Sequence, residues 1–594
     1  MRNRNEVLQQ LRTTSEGSSA PILIVGGGIN GIGLYRDLAL QNVPAILIDK
    51  SDFSSGTSAA PSRLIHGGLR YLETGEFELV RESVIERNHL IRNAPHLVKP
   101  IPVWVPAFSW FGGMLSAGLR FLKLKKTPGA KGILVVKLGL VFFDRFGRKN
   151  RTMPTHRLMS RSESKRRMPG LSDKVCAVAE YYDARLVHPE RLVLELVKDA
   201  ERDCPQSIAL PYLSLDGTDG NEVRLKDEIS GEMFTLKPQL VINCAGAWAD
   251  EVDRRLHIEK RLIGGTRGSH LIMRRPDLAR QLGDGMLYFE TRDFRACLVY
   301  ALDTDTILLG TTDIRVNDPD GARCSDEEID YLFDVLEQVL PGAKARKEEI
   351  VFAYAGIRPL PWSGDAATGS ISRDHALHEF EPETKRTFPV LTLVGGKWTT
   401  YRACAEQICD TVLKRIGMGR TGSTLSQPIG GGRDLATDAT GRDREIGEIA
   451  MASGLETAVA AILYRRYGSQ SRDVAEMMAE GKCKPVGGDG LYYEEEIRWI
   501  LKNERVTRLA DIVLRRTLLP FENAITPETI DGIATIAADE LGWSDQRLAD
   551  EIAHTTTLLT QNYRVVSLSP QQQPFTTHGP HTNSARHQEK GRRI

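Results

Sequence analysis

The stretch Pro21–Lys50, PILIVGGGINGIGLYRDLALQNVPAILIDK, constrains the fold more than any other part of the chain. Ile22–Val25 is a short apolar run of the kind that forms a strand buried on both faces. Gly26, Gly28 and Gly31 follow as G-x-G-x-x-G, and Ile32, Leu34, Leu38 and Leu40 continue as a helix. A second strand, Ala45–Ile48, ends at Asp49. Together these make a complete βαβ dinucleotide fingerprint. Gly26 permits the tight turn, Gly28 lets a pyrophosphate approach the backbone, and Gly31 lets helix and strand pack closely. The helix N-terminus offers amide donors and partial positive charge to that pyrophosphate. Asp49 is placed to accept hydrogen bonds from the adenosine ribose. The early position of the fingerprint in a long chain favours FAD over a nicotinamide cofactor.

Composition narrows the remaining choices. With 78 Lys plus Arg against 78 Asp plus Glu, the formal charge is zero, which excludes a globally basic nucleic-acid binder. The eight cysteines form no CxxC pair and no zinc spacing with histidine, so a reducing compartment and no metal site are expected. The first twenty residues lack an apolar core, so a cleaved signal peptide is not expected. The longest apolar candidate, Gly132–Phe143, is short and contains Lys137, which argues against a transmembrane helix.

Along the chain, β-rich runs alternate with helical patterns up to about Met418, as expected of an α/β body. The turn-rich 419–432 segment reads as a linker. Residues 433–565 carry apolar spacing of three to four, for example in Tyr493–Asn503, Leu509–Leu518 and Ile530–Leu541, and read as an all-helical domain. Residues 1–20 and 566–594 read as disordered tails. A second cofactor-facing element is expected at Leu240–Asp250, where an apolar strand ends in the small-residue turn Ala245–Gly246–Ala247.

The segment Gly56–Glu73, GTSAAPSRLIHGGLRYLE, is dense in small, hydroxylated and cationic residues. With the fingerprint, it resembles the FAD-dependent glycerol-3-phosphate dehydrogenases. The resemblance continues through YYDARLVHPERL at 181–192, INCAGAWADEV at 242–252, RGSHLIM at 267–273 and LLGTTDIRVNDP at 308–319. It extends through YAGIRPL at 354–360, ISRDHAL at 371–377, VGGKWTTYR at 394–402 and LADIVLRRTLL at 509–519. The resemblance implies an FAD-binding Rossmann-like domain interleaved with a mixed-sheet α+β cap and followed by the helical domain. The expected FAD domain comprises 21–90, 170–255 and 352–418, and the cap 91–169 and 256–351. The implied reaction oxidises sn-glycerol 3-phosphate to dihydroxyacetone phosphate, with electrons passing through FAD to a quinone.

That chemistry needs a hydroxyl proton removed, a hydride accepted and a phosphate held. His270 is the candidate general base, since a histidine can take a proton near neutral pH. Arg358 is the candidate for stabilising the developing alkoxide, and also for binding substrate. Arg373 is the leading phosphate ligand, because arginine offers multidentate donors. Arg70 and Tyr71 are expected to line the same pocket. Thr57, Ser58, Gly67 and Gly68 are expected against the cofactor, with His66 shaping that loop. By resemblance, Lys397 lies near the flavin, Thr399 and Thr400 bond it or its pyrophosphate, and Gly395 and Gly396 allow close approach.

The chain departs from the family pattern at three places. Pro61 and Arg63 stand where a serine and a lysine are usual, and Asp49 stands where glutamate is usual. Residues 106–149 match the family poorly, which leaves substrate choice open. Within 120–167 there are 15 Lys or Arg against two acids, interleaved with Phe121, Leu122, Leu124 and the apolar run from Ile133 to Phe143. This patterning suits an anionic membrane surface, and the expected location is cytoplasmic, peripheral on the membrane's cytoplasmic face. Other readings stay open: a dehydrogenase of another phosphorylated polyol such as erythritol phosphate, an oxygen-using oxidase, or an FAD-binding protein without turnover. No nucleic-acid partner is expected, and a homodimer is one open assembly state.

Overall fold

The computed structural model describes residues 1–16, 21–69, 76–110, 132–146, 152–291, 295–364, 374–487 and 490–568. Its first framework is a six-stranded sheet ordered Ala376–Phe380, Val390–Val394, Leu240–Asn243, Ile22–Val25, Ala45–Ile48 and Ile208–Leu210. All pairs are parallel except the first, which is antiparallel. The fingerprint strand therefore lies inside the sheet, and its alternate residues face two cores. Ile22 and Ile24 pack against the helices Ile29–Leu40, Pro189–Asp203 and Tyr401–Arg415. Leu23 and Val25 face the opposite core, closed by the antiparallel strands Leu213–Asp219, Glu222–Asp227 and Met233–Leu236. Burial on both faces explains why these strands read as unbroken apolar runs.

The N-terminal residues differ from the expected tail. Arg4–Glu16 is a helix whose Val7, Leu8 and Leu11 enter the second core. Arg4 pairs with Asp227 at 2.7 Å and Arg12 with Glu232 at 2.8 Å. Three apolar residues give too weak a pattern to identify a helix locally. The surface that stabilises it comes from residues about 200 positions away. The expected tail at 566–594 begins with a short turn, Val566–Leu568, and beyond it lies outside the described residues.

The cap is built on a ten-stranded mixed sheet. Its strands include Val98–Ala107, Ala177–Leu186, Thr266–Arg274, Thr306–Gly310 and Ile350–Arg358. This corrects the expected domain limits: Leu64–Ile65, Ala177–Leu186 and most of Ile350–Arg358 had been placed in the FAD domain, but their hydrogen bonds are made within the cap sheet. The chain passes back and forth between the two sheets, so a partition of the sequence by position alone misassigns these strands.

The C-terminal part is helical as expected, with Ala439–Ser453, Thr457–Tyr467, Ser471–Glu480, Glu494–Asn503, Pro527–Leu541 and Asp545–Tyr563 as its main helices. It docks on the FAD domain through Arg191–Glu504, through Arg505–Glu201 at 2.7 Å and through Lys198 donating to Gln470 at 2.7 Å.

The basic–apolar segment resolves into two parts. Ile133–Phe146 is a helix that buries Ile133, Leu140 and Phe143 against the cap and exposes Leu134, Leu138, Val141 and Phe142. Several of its basic neighbours are neutralised by acids outside the helix. Arg157 and Arg167 converge on Glu180, and Arg161 and Lys165 on Asp173. Residues 120–131 and 147–151, with much of the remaining positive charge, lie outside the described residues. No single helix among the described residues is long and apolar enough to cross a membrane.

Docking of the N-terminal helix is testable by truncating a side chain. Leu11 is fully buried, so Leu11→Ala should cost about 2–5 kcal/mol and lower the urea midpoint of the FAD domain. An unchanged midpoint would contradict docking.

Candidate functional site

The parallel strands of the first sheet converge on one end, where the sequence places its glycines. Gly26, with φ of +114°, turns the chain so closely that a Cβ there would lie 2.4 Å from the Cys244 carbonyl oxygen. Gly28 precedes the helix Ile29–Leu40, whose N-terminus carries no side-chain cap from that position. Gly31 packs against the Gly26 carbonyl. The Asp49 carboxylate closes the second strand: Oδ2 accepts from Gly27 N at 2.7 Å and Oδ1 from Ser51 N at 2.9 Å. Burial pushes its pKa up to about 6, against the pull of those two amides. The Ala245–Gly246 turn follows the adjacent strand, fixed by Asn243, whose side chain accepts from Ala245 N and donates to the Ala249 carbonyl. Gly396, with φ of +98°, lies against Asn30 in the fingerprint helix, where a Cβ would come within 2.5 Å of Nδ2. Gly395 and the half-buried Lys397 belong to the same turn. A glycine turn leading into a helix N-terminus, an acid at the second strand and three closely approaching turns together fit a dinucleotide.

The hydroxyl residues divide into two groups. Ser58 Oγ accepts from Ile29 N at 3.0 Å, on the helix N-terminus itself. Thr57, by contrast, donates to the Ile357 carbonyl at 2.5 Å and so ties its segment to the cap. Thr399 Oγ1 accepts from His66 N at 3.1 Å, while Thr400 is buried at the start of the helix Tyr401–Arg415. Gly67 N donates to Asp183 at 2.9 Å, and Gly68 adopts φ of +74°.

On the cap side, three neighbouring strands bring His270, Gly310 and Tyr354 into register, with Thr266 opposite Arg358. His270 is buried, and its ring stacks on Tyr354 at 4.9 Å between centroids. Its Nε2 hydrogen-bonds Ser62 Oγ at 2.8 Å, and Nδ1 has no partner among the described residues. Burial, then the charges of Arg358 and Arg63, push the imidazole down to about 3, so it is neutral at physiological pH. Arg358 Nη1 pairs with Asp313 at 3.1 Å, and Nη2 donates to Thr311 Oγ1 at 3.2 Å. Its guanidinium fits only because position 268 is glycine: a Cβ there would lie 2.1 Å from Nη2.

Sequence reasoning missed Ser62, Tyr354, Thr311 and Asp313 as neighbours of these two groups. All four lie in the quoted motifs, but nothing local identified which strand would face which. Arg63, which stands where the family has a lysine, stacks on Phe521 at 3.4 Å, bonds the Val187 carbonyl and lies 3.5 Å from Glu190. Arg70, Tyr71 and Arg373 lie outside the described residues. Among the described residues, no group of three or more His, Cys, Asp or Glu is arranged to hold a metal ion.

The depressed histidine has a measurable consequence. Below its ordinary pKa of 6.5, the unfolded chain takes up a proton at His270 and the folded chain does not. The stability contributed at neutral pH is thus lost as pH falls from 6.5 towards 3. Urea unfolding at stepped pH should show a shallower acid decline for His270→Gln than for the parent. Parallel declines would mean that His270 is not held neutral.

Comparison with known proteins agrees with this geometry. Residues 21–411 match the family model described as FAD dependent oxidoreductase, and 422–548 match the C-terminal domain of alpha-glycerophosphate oxidase. A glycerol-3-phosphate dehydrogenase of Synechocystis is 30% identical, covering 91% of this chain and 96% of that protein. A D-erythritol 1-phosphate dehydrogenase of Brucella abortus is 28% identical over 85% of this chain and 95% of its own. The structure of the glycerol-3-phosphate dehydrogenase from Bacillus halodurans, complexed with FAD, superposes with a TM-score of 0.73 at 21% identity, covering 94% of this chain and 98% of that one. A family match across most of the chain, the shared fold and a built dinucleotide cradle lead to one assignment: the chain belongs to the FAD-dependent oxidoreductases, in their glycerol-3-phosphate dehydrogenase family, and its cofactor is FAD.

Proposed function

We propose that this chain oxidises the C2 hydroxyl of sn-glycerol 3-phosphate to dihydroxyacetone phosphate and passes the electrons to a membrane quinone. The observation that carries the reading is that neutral His270 and Arg358 lie on adjacent cap strands, tied through Ser62 to a segment whose Ser58 bonds the N-terminus of the fingerprint helix. When bound, FAD supplies the two-electron acceptor. Gly26, Gly28, Gly31, Asp49, Ser58, Gly246 and Gly396 are the residues that would hold it.

His270 is the residue assigned to take the hydroxyl proton, with its imidazole oriented by Ser62 and by stacking on Tyr354. Burial first, and then the charges of Arg358 and Arg63, oppose that uptake in the substrate-free protein. Arg358 stabilises the oxygen as negative charge develops, held in place by Asp313 and Thr311. Arg373, with Arg70 and Tyr71, is assigned to the phosphate end on the family motifs.

The quinone reading is supported by the helix Ile133–Phe146. The helix exposes Leu134, Leu138, Val141 and Phe142, carries Lys137 and Arg145, and is joined through Leu134 N to the carbonyl of exposed Trp110 at 3.4 Å. Each such apolar side chain contributes about 1.5–3 kcal/mol when fully transferred from water. Each cation adds about 1 kcal/mol near an anionic surface. The helix's inner face packs Phe143 against Gly67, a residue assigned to the cofactor on the family motifs.

The Brucella relative supports a second substrate reading, D-erythritol 1-phosphate. Anaerobic mixing of the holoenzyme with each polyol phosphate decides between them. Glycerol 3-phosphate should bleach the visible flavin band, and bleaching by erythritol phosphate alone would reverse the assignment. Arg358→Lys should lower kcat by about 10²–10³ if that guanidinium stabilises the alkoxide, and a change confined to KM would refute that role. Phe142→Asp with Leu138→Asp should abolish sedimentation with anionic vesicles. Retained sedimentation would remove this helix from the membrane contact, and release of hydrogen peroxide at the full turnover rate would favour oxygen as acceptor.

A further inference from the structure

The motif Leu509–Leu519 in the helical domain carries two adjacent arginines that do not face the reacting centre. Both converge on Asp52, in the loop that leaves the second fingerprint strand. Arg515 Nε donates to Asp52 Oδ2 at 2.5 Å, Arg516 Nη1 donates to the same oxygen, and Arg516 Nη2 donates to Oδ1 at 2.9 Å. Asp52 is fully buried, as is nearly all of Arg516. Successive residues of an ordinary helix project about 100° apart. Here the helix widens into a π-turn over Ile512–Arg516, with Thr517 N bonded to the Ile512 carbonyl at 3.0 Å, and both side chains reach one carboxylate. Such turns are rare and recur at functional sites.

The rest of the charge is accounted for. Arg515 Nη2 also donates to Asp511 at 2.7 Å, and Tyr212, from the FAD domain, donates to that same Asp511 oxygen at 2.5 Å. The backbone carbonyls of Arg515 and Arg516 accept from His188 and Arg191 of the FAD domain. Burial works against ionisation of Asp52, but the two guanidiniums hold its carboxyl below the usual range.

What Asp52 holds in turn is the cofactor turn. Two residues on, Ser54 N donates to the Gly27 carbonyl at 2.9 Å, and Phe53 packs on Gly27. Gly27 N donates to Asp49, and Tyr212 N donates to the Ser51 carbonyl at 3.0 Å. Residues 49–54 thus form a short bridge with Asp49 and Gly27 at one end and the arginine pair gripping its middle.

We propose that Asp52, gripped by Arg515 and Arg516, is a positioning residue for the cofactor, through which the helical domain sets how tightly the adenosine half of FAD is held. The proposal rests on Asp49 being the acceptor for the adenosine ribose. It makes docking of the C-terminal domain and retention of FAD a single linked event. A merely cohesive interface would not do this.

The test measures the rate at which holoenzyme releases FAD on dilution, followed by recovery of free-flavin fluorescence, alongside the unfolding temperature. Asp52→Asn and Arg516→Lys should release FAD at least about tenfold faster, the scale expected when a group orienting a ligand contact is lost. Glu201→Gln provides the control. It breaks the buried Arg505–Glu201 bridge between the same two domains, and that pair bonds none of residues 49–54. It should lower the unfolding temperature and leave FAD release unchanged. Equal acceleration in Glu201→Gln, or unchanged release in Asp52→Asn and Arg516→Lys, would overturn the proposal. If Asp52→Asn does not fold, Arg516→Lys, which keeps the charge but loses the fork, decides alone. Asp49→Ala separates the premise: no change in release there means the ribose reading has failed, whereas acceleration there but not in Asp52→Asn means the brace has failed.

Discussion

The structure depends on how one short segment, Thr57–His66, is wedged between two sheets. Ser58 caps the fingerprint helix and receives Trp398 at its carbonyl, which fixes the segment to the FAD domain. Thr57 bonds the Ile357 carbonyl, Tyr354 bonds the Pro61 carbonyl, and Ser62 bonds His270, which fixes it to the cap. Gly356 makes the approach feasible, since a Cβ there would lie 2.7 Å from that of Ala60. Any shift of the cap strand Ile350–Arg358 would therefore move Arg358 and the cofactor segment together. Catalytic geometry of this kind is precise because it is built on strands and packed side chains rather than on a free loop.

Much of this was legible in the sequence. The fingerprint appears where its glycines, apolar runs and terminal acid place it, because each of those requirements is local. The helical domain was readable for the same reason. The N-terminal helix was not, since Val7, Leu8 and Leu11 gain their burial from strands far along the chain. Assignment of Ala177–Leu186 and Ile350–Arg358 to the cap was equally hidden, because an apolar strand does not declare its neighbours. At the site, His270 and Arg358 came from family motifs, but Ser62 and Asp313 became visible only through strand register. Arg63 stands where the family has a lysine. Its charge is retained, yet its guanidinium is spent on Phe521 and the Val187 carbonyl.

Charge follows the same pattern at a larger scale. The zero net charge conceals a strongly basic stretch at 120–167, and the structure shows that this stretch is itself partly cancelled by Glu180 and Asp173 just beyond it. What stands out at the surface is the apolar face of Ile133–Phe146, with cations beside it. Phe143, on the inner side of that helix, rests on Gly67. The helix that carries this exposed apolar face is therefore packed, through its inner side, on the first glycine of the pair Gly67–Gly68.

The central claim is that hydrogen leaves C2 of a phosphorylated polyol as hydride, beside His270 and Arg358. Rapid mixing of the oxidised holoenzyme with glycerol 3-phosphate deuterated at C2 tests it most directly. Flavin bleaching should be slower than with the protiated substrate, and deuterium at C1 and C3 should leave the rate essentially unchanged. Equal bleaching rates for the C2-deuterated and protiated substrates, with the chemical step shown to be rate-limiting by the slow Arg358→Lys variant, would contradict the account.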